Sequence, residues 1–372
     1  MKLTIERAAL LRSLNHIQSV VERRNTIPIL ANVLVEADES GVNLTATDMD
    51  ISIVETAEAI ASAPGSTTAP AHTLYDIVRK LPDGSQIELD SDGESDRLVL
   101  SAGRSRFTLA TLPTADFPAM SEGDLPHTFA LPADALRALV DRTRFAISTE
   151  ETRYYLNGIY LHAVELEGVP VMRAVATDGH RLARVEMPMP EGAAGMPGII
   201  IPRKAVNELR KLIDECDNDI QISLSDTKIR FGFDGAVLTS KLIDGTFPDY
   251  EKVIPVGNDK LLEVDCRQFA EAVDRVATIS TERSRSVKLE ISDNNLTLSA
   301  SSPDAGSATE EIEVSYDKEA IEIGFNSKYL LDIAQQVEGD TAQVLFADGA
   351  SPAIVRDSAD SSALYVLMPM RV

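Results

Sequence analysis

The sequence predicts an α+β chain of three repeated domains, each with two helices and about eight short antiparallel strands. Three segments open alike, with an alternating run that leads into an amphipathic helix pattern. They read LTIERAALLRSL from Leu3, FALPADALRALV from Phe129 and LEVDCRQFAEAV from Leu262. The offsets between their starts are 126 and 133 residues, which is the spacing of a repeated domain.

Further landmarks recur in the same order along the chain. They are TATD ending at Asp48, AVATD ending at Asp178 and LSASS ending at Ser302. A second helix pattern then begins near Pro70, Pro202 and Asn326, and the first two repeats close on LPTADFP and LIDGTFPDY. Chance alternation of strands and helices would not keep this order and spacing. We therefore predict domains at residues 1–125, 126–256 and 257–372.

Period-two alternation marks the strands inside each repeat. The examples are QIELD at 86–90, RFTLATL at 106–112, QISL at 221–224, KIRFGF at 228–233, VKLEI at 287–291, NLTLSA at 295–300 and EIEVSY at 311–316. Pairs such as Asp178-Gly179 and Asp234-Gly235 mark turns between strands. Alternation on one face predicts antiparallel sheets with one buried side, on which the helices pack as a layer.

The chain is strongly acidic, with a formal net charge of −24 at pH 7. It therefore has no general attraction for nucleic acid or for an anionic membrane, and such binding needs local segregation of charge. The six predicted helices with their flanks hold 18 basic and 16 acidic residues, whereas the rest of the chain holds 17 and 43. This distribution favours a helix layer that contacts phosphates, with Arg137, Arg203 and Lys204 among its basic residues. The alternative is a set of solvated helix faces.

Cysteine usage and hydropathy favour a cytoplasmic protein. Cys216 and Cys266 form no CxxC pair, which suits a reducing compartment. Charges interrupt the N-terminal apolar pattern, so it predicts no signal peptide. Because no uncharged apolar run is long enough to cross a bilayer, we expect no membrane partner.

Motifs for catalysis are absent from the sequence. There is no phosphate-binding GxxxxGKS or GxxxxGKT, no GxGxxG after a strand, no HExxH and no GxSxG. The five histidines lack metal-ligand spacing, so we expect neither a metal nor a cofactor. The tightest polar cluster is TDGHRL, where His180, Asp178 and Arg181 offer a base, an acid and an anion clamp. The alternative is a strand, a turn and a strand, with a binding role for the backbone and side chains of residues 179–182.

The C-terminus is the second unusual cluster, because it reads YVLMPMRV and has no polar tail. Residues 365–367 continue a strand pattern and predict a final core strand. Two methionines around a proline make an adaptable apolar surface. We therefore expect Met368–Met370 to be exposed and to suit several partners.

The repeats, the charge segregation and both clusters together resemble one family, the bacterial DNA polymerase III beta subunit, or replicative sliding clamp. The matching stretches are NTIPILANVL at 25–34, GRSRFTLATLPTADFP at 103–118, RYYLNG at 153–158, ATDGHRLA at 176–183, IPRK at 201–204, TSKLIDGTFPDY at 239–250 and YVLMPMR at 365–371. They span all three repeats. The resemblance implies three domains of the DNA-clamp fold. It also implies that two chains join head to tail into a closed ring whose helices line the hole.

The resemblance implies a function and a set of partners. The ring would encircle double-stranded DNA without sequence preference, slide on it and tether the polymerase, while an ATP-dependent clamp loader would open it. The chain itself would catalyse nothing. Its protein partners would be a second copy of itself, the DNA polymerase III alpha subunit, the clamp loader delta subunit, and other polymerases and repair proteins with clamp-binding motifs. Within the cytoplasm it would act at replication forks on the nucleoid.

Three groups of site residues follow from the resemblance. The peptide-binding pocket would use Leu156, Thr177, Gly179, His180, Arg181, Leu182, Pro248, Val253, Asn326, Tyr329, Val366, Met368, Pro369, Met370 and Arg371. Contacts to DNA would include Arg24, Tyr154 and Tyr155, beside the helix residues Arg137, Arg203 and Lys204. The dimer interface would place Arg104, Arg106, Phe107 and Leu109 against Thr278, Ile279, Asp304, Glu310 and Glu311 of the other chain.

Three positions depart from the family pattern. His72 replaces an arginine that is usual for DNA contact, Glu150 replaces a glutamine near the DNA, and Lys252 replaces an arginine beside the pocket. Lysine keeps the charge but not the planar fork of arginine. Two rival functions remain at this point. One is an enzyme that uses the TDGHRL cluster on a nucleotide or sugar, and the other is an acidic structural protein whose helix layer contacts protein only.

Overall fold

The computed structural model describes residues 1–23, 26–91, 96–121, 123–280 and 285–371. Within these ranges, six α-helices fall where the repeat predicts them. They are α1 (Arg7–Ile17), α2 (Ala71–Val78), α3 (Ala133–Arg144), α4 (Arg203–Asp214), α5 (Cys266–Ala277) and α6 (Ser327–Ala334). Local capping explains several of the starts, because a side-chain oxygen satisfies a free backbone N–H of the first turn. Glu6 accepts from the N–H of Ala9, and Asp265 accepts from the N–H of Gln268.

Strands of similar length and order follow in each repeat, nine in the first and eight in each of the others among the described residues. The first repeat holds β1 (Lys2–Glu6), β2 (Asn32–Asp38), β3 (Gly41–Thr47), β4 (Ile51–Ala57), β5 (Ile60–Ala63), β6 (Gly65–Pro70), β7 (Gln86–Asp90), β8 (Arg97–Ala102) and β9 (Ser105–Ala110). The second holds β10 (His127–Pro132), β11 (Gly158–Leu166), β12 (Val169–Thr177), β13 (Arg181–Pro188), β14 (Ile199–Pro202), β15 (Asp219–Leu224), β16 (Lys228–Phe233) and β17 (Ala236–Lys241). The third holds β18 (Lys260–Asp265), β19 (Ser286–Ser292), β20 (Asn295–Ser302), β21 (Gly306–Glu313), β22 (Ile321–Asn326), β23 (Thr341–Phe346), β24 (Ala353–Asp357) and β25 (Ala363–Leu367).

One predicted strand is shifted. Alternation in EIEVSY favours a strand at 311–316, but β21 starts at Gly306 and ends at Glu313. The reason is a change of hydrogen-bond partner at its end. Val314 donates to the carbonyl of Asn294 at 3.0 Å, and Ser315 then donates to the carbonyl of Glu263 at 2.9 Å. The apolar alternation therefore continues while the backbone moves from one sheet to another.

The strands form four antiparallel sheets, and the chain divides into two compact units. Unit 1 comprises Met1–Arg137, Pro190–Pro197 and Lys204–Leu242, and unit 2 comprises Ala138–Met189, Gly198–Arg203 and Ile243–Val372. Unit 1 holds a five-stranded sheet in the order β5-β1-β7-β8-β9 and an eight-stranded sheet in the order β10-β15-β16-β17-β4-β3-β2-β6. Unit 2 holds an eight-stranded sheet in the order β14-β11-β12-β13-β25-β24-β23-β18 and a four-stranded sheet in the order β21-β20-β19-β22. Each unit thus combines a terminal repeat with part of the central one.

Each eight-stranded sheet joins two repeats by the same kind of strand pair. In unit 1 the last strand of the second repeat, β17, pairs with β4, and Leu238 lies opposite Ile53. In unit 2 the last strand of the third repeat, β25, pairs with β13, and Tyr365 lies opposite Ala183. Both β4 and β13 are the strands that follow the TATD and AVATD landmarks. We call these two strand pairs the repeat joints.

The cores lie between the sheets and the helices. In unit 1, Leu10 and Leu14 of α1 are fully buried, as are Leu44 and Ile53 of the neighbouring strands. In unit 2, α5 and α6 bury Phe269, Val273, Leu330 and Ile333. None of the helices in the described ranges has the length and the apolar surface needed to span a membrane.

Candidate functional site

The TDGHRL cluster is a tight turn between β12 and β13. Asp178 Oδ1 accepts hydrogen bonds from the N–H groups of His180 (2.9 Å) and Arg181 (3.0 Å). The hydroxyl of Thr177 donates to the carbonyl of Arg181 at 2.7 Å and accepts from the N–H of Gly179 at 3.1 Å. Gly179 has φ +87°, a left-handed conformation that side chains disfavour. Asp178 therefore serves the turn, whereas His180 is exposed.

Arg181 is buried beneath this turn, with only 7% of its surface exposed. Its guanidinium contacts Asp178 at 3.2 Å and Asp332 at 2.5 Å, and it donates to the carbonyl of Phe145. The same group lies 5.1 Å from the ring centroid of Phe145 and 4.3 Å from that of Tyr329. These contacts tie the turn to α6. Arg181 thus holds the turn in place from inside unit 2.

An apolar floor lies beside the turn. Leu156, Leu182 and Val366, all predicted pocket residues, are almost fully buried in one cluster. The other buried members of this cluster are Val175, Ile200, Phe247 and Tyr250, and the partly buried side chains packed on it are Tyr155, Tyr160, Ile243, Ile254 and Leu364. The structure therefore brings residues from both unusual sequence clusters together in unit 2.

The C-terminal segment forms one rim of this floor. The N–H of Met368 donates to the carbonyl of His180 at 2.9 Å, which extends the joint between β13 and β25. The N–H of Met370 donates to the carbonyl of Gly324 at 2.8 Å. Met368 is exposed, as predicted, and so is Arg371, whereas Pro369 and Met370 are half-buried. This second bond holds the end of the segment against β22.

Other predicted pocket residues lie at the surface of the same unit. Val253 is 47% exposed and Pro248 is also exposed. Asn326 caps α6 by accepting from the N–H of Lys328, so its side chain is partly used by the helix. Tyr329 is half-buried, and its ring stacks near that of His180 at a centroid distance of 6.4 Å.

Arg153 is a residue of this site that the sequence reasoning missed. A Cβ atom built on Gly179 would lie 2.8 Å from Arg153 Nη1, so the guanidinium lies directly over the glycine. Arg153 belongs to the 3-10 turn Glu151–Leu156 and has non-helical backbone angles there. Its partner Glu150 lies 3.3 Å away. RYYLNG contains this arginine, but nothing in the local pattern shows that it reaches a turn 26 positions further along the chain.

The other repeat joint has the same frame without the pocket. In unit 1, Thr47 donates to the carbonyl of Ile51 at 2.8 Å, and Asp48 accepts from the N–H groups of Asp50 and Ile51. Met49, with φ 78°, stands where the other turn has Gly179. Lys241 corresponds to Met368 of the other joint, and its ammonium lies 3.0 Å from the carboxylate of Asp50. An ion pair therefore replaces the apolar rim.

The predicted DNA contacts are exposed to different degrees. Arg24 lies outside the described residues. In unit 2, Tyr154 is 54% exposed and Arg203 is exposed, whereas Tyr155 packs on the apolar cluster. Tyr154 and Arg203 are therefore accessible, as a contact to a nucleic acid backbone requires.

Two other predicted contacts are already engaged within unit 1. The ammonium of Lys204 donates to the carbonyl of Val20 and to the carboxylates of Glu22 and Asp48, at 2.6–3.1 Å. Burial lowers the pKa of Lys204, but the two carboxylates outweigh it and raise the pKa above its usual value. Arg137 donates to the carbonyl of Ile213 at 3.1 Å. A phosphate would have to compete with these acceptors.

Two of the departures from the family pattern are also engaged in local contacts. His72 has one ring nitrogen 2.9 Å from the carbonyl of Val21 and the other 3.1 Å from the side-chain oxygen of Gln18. The nitrogen beside the carbonyl must carry a proton, because a carbonyl only accepts. Lys252 pairs with Asp249 at 2.8 Å and remains largely exposed.

The predicted interface residues fall into two sets, one in each unit, on or beside an edge strand, except that Thr278 and Ile279 follow α5. In unit 1, Arg104 and Arg106 are exposed, Phe107 is half-buried and Leu109 is buried at the edge strand β9. In unit 2, the edge strand is β21, and the predicted residues are Thr278, Ile279, Asp304, Glu310 and Glu311, of which Ile279 and Glu310 are half-buried. Glu310 forms a two-point pair with Arg275 at 2.6 and 3.0 Å.

Thr177, Asp178 and Arg181 are used to hold the turn, whereas Pro248, Val253 and Met368 place apolar surface at the site. This combination defines a docking scaffold, because the carboxylate and the guanidinium that an enzyme would use are bound to the turn. Across the described ranges, no group of three His, Cys, Asp or Glu side chains is arranged to hold a metal ion.

Comparison with known proteins identifies the family of this scaffold. Family models of the DNA polymerase III beta subunit match the chain at residues 1–121 (N-terminal domain), 130–249 (central domain) and 251–371 (C-terminal domain). The beta sliding clamp of Caulobacter vibrioides is 56% identical over the full length of both chains. A crystal structure of the Caulobacter crescentus clamp matches with a TM-score of 0.98 at 56% identity, over 100% of this chain and 99% of the other. The Bartonella birtlesii clamp bound to griselimycin matches at 0.96 and 51% identity over both full chains.

The chain belongs to the family of DNA polymerase III beta subunits, the beta sliding clamps. Members of this family are non-catalytic processivity subunits in DNA replication, which work with DNA and a DNA polymerase. The predicted family, the α+β fold of three repeated clamp domains and the function of a processivity clamp are thereby confirmed, and the enzyme and the protein-only scaffold are excluded. The predicted domain boundaries and the roles of individual site residues remain predictions.

Proposed function

We propose that two copies of this chain close head to tail into a ring of six repeats that encircles duplex DNA. The observation that carries the proposal is the repeat joint. Twice along the chain, the last strand of one repeat pairs with the strand that follows the second landmark of the preceding repeat. In the described residues, β9 and β21 are the corresponding strands left at sheet edges. A third joint of the same kind would pair β9 of one chain with β21 of another.

Internal equivalence supports one register for this third joint on the β9 side. The two-residue turn before β9 places Ala102 opposite Ser105, as the turn before β17 places Phe233 opposite Ala236. Two residues further on, Phe107 therefore corresponds to Leu238.

The same reasoning supports one register on the β21 side. Ala46 of the first repeat and Ala300 of the third are the alanines of the TATD and LSASS landmarks. They lie opposite Ile53 and Ala308, respectively. Because Leu238 pairs with Ile53, we place Phe107 opposite Ala308 of the other chain.

This register gives complementary chemistry along the edge. Counting outward from Phe107 and Ala308, Arg104 falls opposite Glu311 and Arg106 opposite Thr309, beside Glu310. Opposite charges across an interface favour the correct partner and orientation. A groove of about 440 Å³ lies next to Phe107 and is lined by Thr73, Asp76, Ile77, Lys80, Leu81, Pro82 and Ser105. We assign Ile279 of the second copy to this groove, since it is an apolar side chain near the other edge.

Charge segregation supports the contact with DNA. The helical regions are nearly neutral, whereas the strands and loops carry the negative charge. Weak phosphate contacts from residues such as Arg203 and Tyr154 would hold the duplex without a sequence preference. A closed ring needs no tight affinity, so such contacts permit sliding.

The apolar pocket of unit 2 is the proposed docking site for clamp-binding motifs. Its partners are the DNA polymerase III alpha subunit, the clamp loader delta subunit and other polymerases and repair proteins. An apolar floor with an adaptable methionine rim suits several short motifs. We place the protein in the cytoplasm, at replication forks on the nucleoid.

Topology provides the test. The protein is loaded onto nicked circular plasmid with the clamp loader of the same organism and ATP, isolated at moderate salt, and challenged by linearisation of the DNA. Retention on the circle with release from the linear form is the expected result, because a closed ring slides off an end. Retention on both forms would mean ordinary affinity binding and would overturn the ring. If the protein is retained on neither form of the DNA, its mass in solution is measured. A monomeric mass overturns the proposal, and with a dimeric mass the loading is repeated after the activity of the clamp loader has been checked.

A further inference from the structure

The segment 247–253, which we call the wall segment, carries Pro248 and Val253 at the surface of unit 2. Its 3-10 turn Tyr250–Val253 is short, and no side chain caps its start. Such a turn has little stability of its own. Contacts with the body of the unit must therefore fix where Val253 lies.

A row of three polar residues crosses the sheet beneath the wall segment. His162 on β11 lies opposite Arg173 on β12, and Arg173 lies opposite Glu186 on β13. Arg173 is only 5% exposed. Its Nε donates to Glu186 at 2.8 Å, which fixes the plane of the guanidinium.

The other end of the same guanidinium binds the wall segment. Arg173 Nη1 donates to the hydroxyl oxygen of Tyr250 at 3.1 Å and to the carboxylate of Glu251. The Tyr250 hydroxyl also lies 3.1 Å from His162 Nε2. Burial, with Arg173 as a smaller cause, lowers the pKa of His162 to about 4. The imidazole is therefore neutral at pH 7. It can accept a hydrogen bond from the Tyr250 hydroxyl, while the hydroxyl oxygen accepts one from Arg173.

Aromatic packing continues this clamp into the pocket floor. The ring of Tyr160 stacks on His162 at 4.3 Å and on Phe247 at 4.8 Å between centroids. Phe247 and Tyr250 belong to the buried cluster that contains the floor residues Leu156, Leu182 and Val366. The wall segment is thus held to the floor by the packing of Phe247 and Tyr250, and by the hydrogen bonds of Arg173 to Tyr250 and Glu251.

We propose that Arg173 is a positioning residue for the peptide pocket, which holds the wall segment through Tyr250 and Glu251 while itself remaining out of reach of the peptide. The inference rests on the proposed docking function of the pocket. Removing the guanidinium leaves Glu186 paired with Arg184 at 3.1 Å but takes away the donor that Tyr250 and Glu251 share, so the wall segment samples displaced positions. Apparent affinity then falls in proportion to the fraction of molecules that keep the wall segment in place. If about a tenth of the molecules keep it there, the affinity falls about tenfold.

The experiment compares three variants of the full chain. Arg173→Met removes the donor at similar length, and Tyr250→Phe removes only the hydroxyl. Arg142→Met is the control, since Arg142 is an arginine of the same unit whose side chain is 11% exposed and pairs with Asp360 at 2.6 Å and Glu338 at 2.9 Å, neither of which belongs to the wall segment. The dissociation constant for the purified alpha subunit is measured by surface plasmon resonance. Hydrogen exchange of residues 247–254 is compared with that of β13.

We expect Arg173→Met to weaken binding about tenfold or more and Tyr250→Phe to weaken it severalfold, with faster exchange in the wall segment and unchanged exchange in β13. Arg142→Met should bind like the wild-type chain. If Arg173→Met does not fold, Tyr250→Phe decides. Wild-type affinity in the variants that fold overturns the inference and leaves the docking function intact. A wild-type chain that does not bind the alpha subunit overturns the docking function, and the inference with it.

Discussion

Cysteine pairs placed across the predicted third joint test its register residue by residue. The register puts Thr108 of one chain opposite Ser307 of the other, because these positions correspond to Thr239 and Ser52, which pair in the first joint. Thr108 and Ser307 are exposed, and cysteine is close to both in size. The two native cysteines, Cys216 and Cys266, are buried. The double variant Thr108→Cys with Ser307→Cys should therefore form two disulfides per ring.

The geometry of the first joint gives the expected distance. Thr56 donates to the carbonyl of Gly235 at 2.7 Å and Lys241 to that of Asp50 at 2.8 Å, in the same register as the pair Ser52 and Thr239. That pair thus belongs to the hydrogen-bonded set, whose Cα atoms lie about 5.5 Å apart. Disulfides accept Cα separations of about 4.4–6.8 Å. A slip of two residues adds about 6.8 Å along the strand and gives a separation of about 9 Å.

The assay is a non-reducing gel after mild oxidation of the purified dimer. The pair Thr108→Cys with Ser307→Cys should yield closed covalent dimers that stay on circular plasmid in detergent and leave when the plasmid is cut. The pair Thr108→Cys with Thr309→Cys is the control, because it shares the face and differs only in register. Cross-linking of the control pair in place of the first would refute the register argued from the repeat. A dimer that cross-links at neither pair would refute edge pairing of β9 with β21.

Three further predictions concern stability, docking and DNA. His16 lies 2.7 Å from Glu55 and 2.9 Å from Glu215, and these carboxylates outweigh burial and raise the pKa of His16. The contribution of protonated His16 to the stability of the fold is therefore complete below about pH 6.5 and is lost as pH rises through the higher pKa of the folded state. His16→Gln should lower the free energy of unfolding by about 2 kcal/mol at pH 6. It should also flatten the pH dependence of that free energy, measured by urea unfolding. Gly179→Ala should weaken binding of the alpha subunit about tenfold without preventing ring loading. The reason is that a positive φ costs alanine about 1–2 kcal/mol and that the new methyl group displaces Arg153. An affinity equal to that of the wild-type chain would contradict this prediction. Arg203→Ala should reduce the salt dependence of DNA binding by about one counterion, measured as the slope of log affinity against log salt; an unchanged slope would remove Arg203 from the DNA surface.

The parts of the fold that follow from sequence are those set by local rules. The alternation in KIRFGF predicts a strand over the same residues as β16, and the polar caps Asp265 and Asn326 mark the starts of α5 and α6. The three-fold spacing then supplies the domain organisation. Each of these signals depends on neighbours within a few positions, so it can be read along the chain.

The parts of the site that sequence reasoning missed depend on contacts across long separations. Arg153 over Gly179 and Arg173 with Glu251 join segments that only the folded sheet brings together. Arg181 is the clearest case. Its place in a polar motif favours a role at the surface, but two aromatic rings and two carboxylates hold it inside. Side-chain direction at a turn is decided by what packs on it, which no local pattern encodes.

The two repeat joints show how little separates a structural seam from a docking site. Both are built on the same Thr-Asp turn, with matching backbone hydrogen bonds, and in both the closing strand donates one further bond to the turn. In unit 1, Met49 takes the positive-φ position of the turn, and Lys241 with Asp50 makes the rim polar. In unit 2, Gly179 takes that position and leaves room for the guanidinium of Arg153, and the final strand ends on an exposed methionine. Each seam is a strand pair shared by two repeats, so the pocket proposed at the second one would be held in shape before a partner arrives, and less binding free energy would be lost in ordering it.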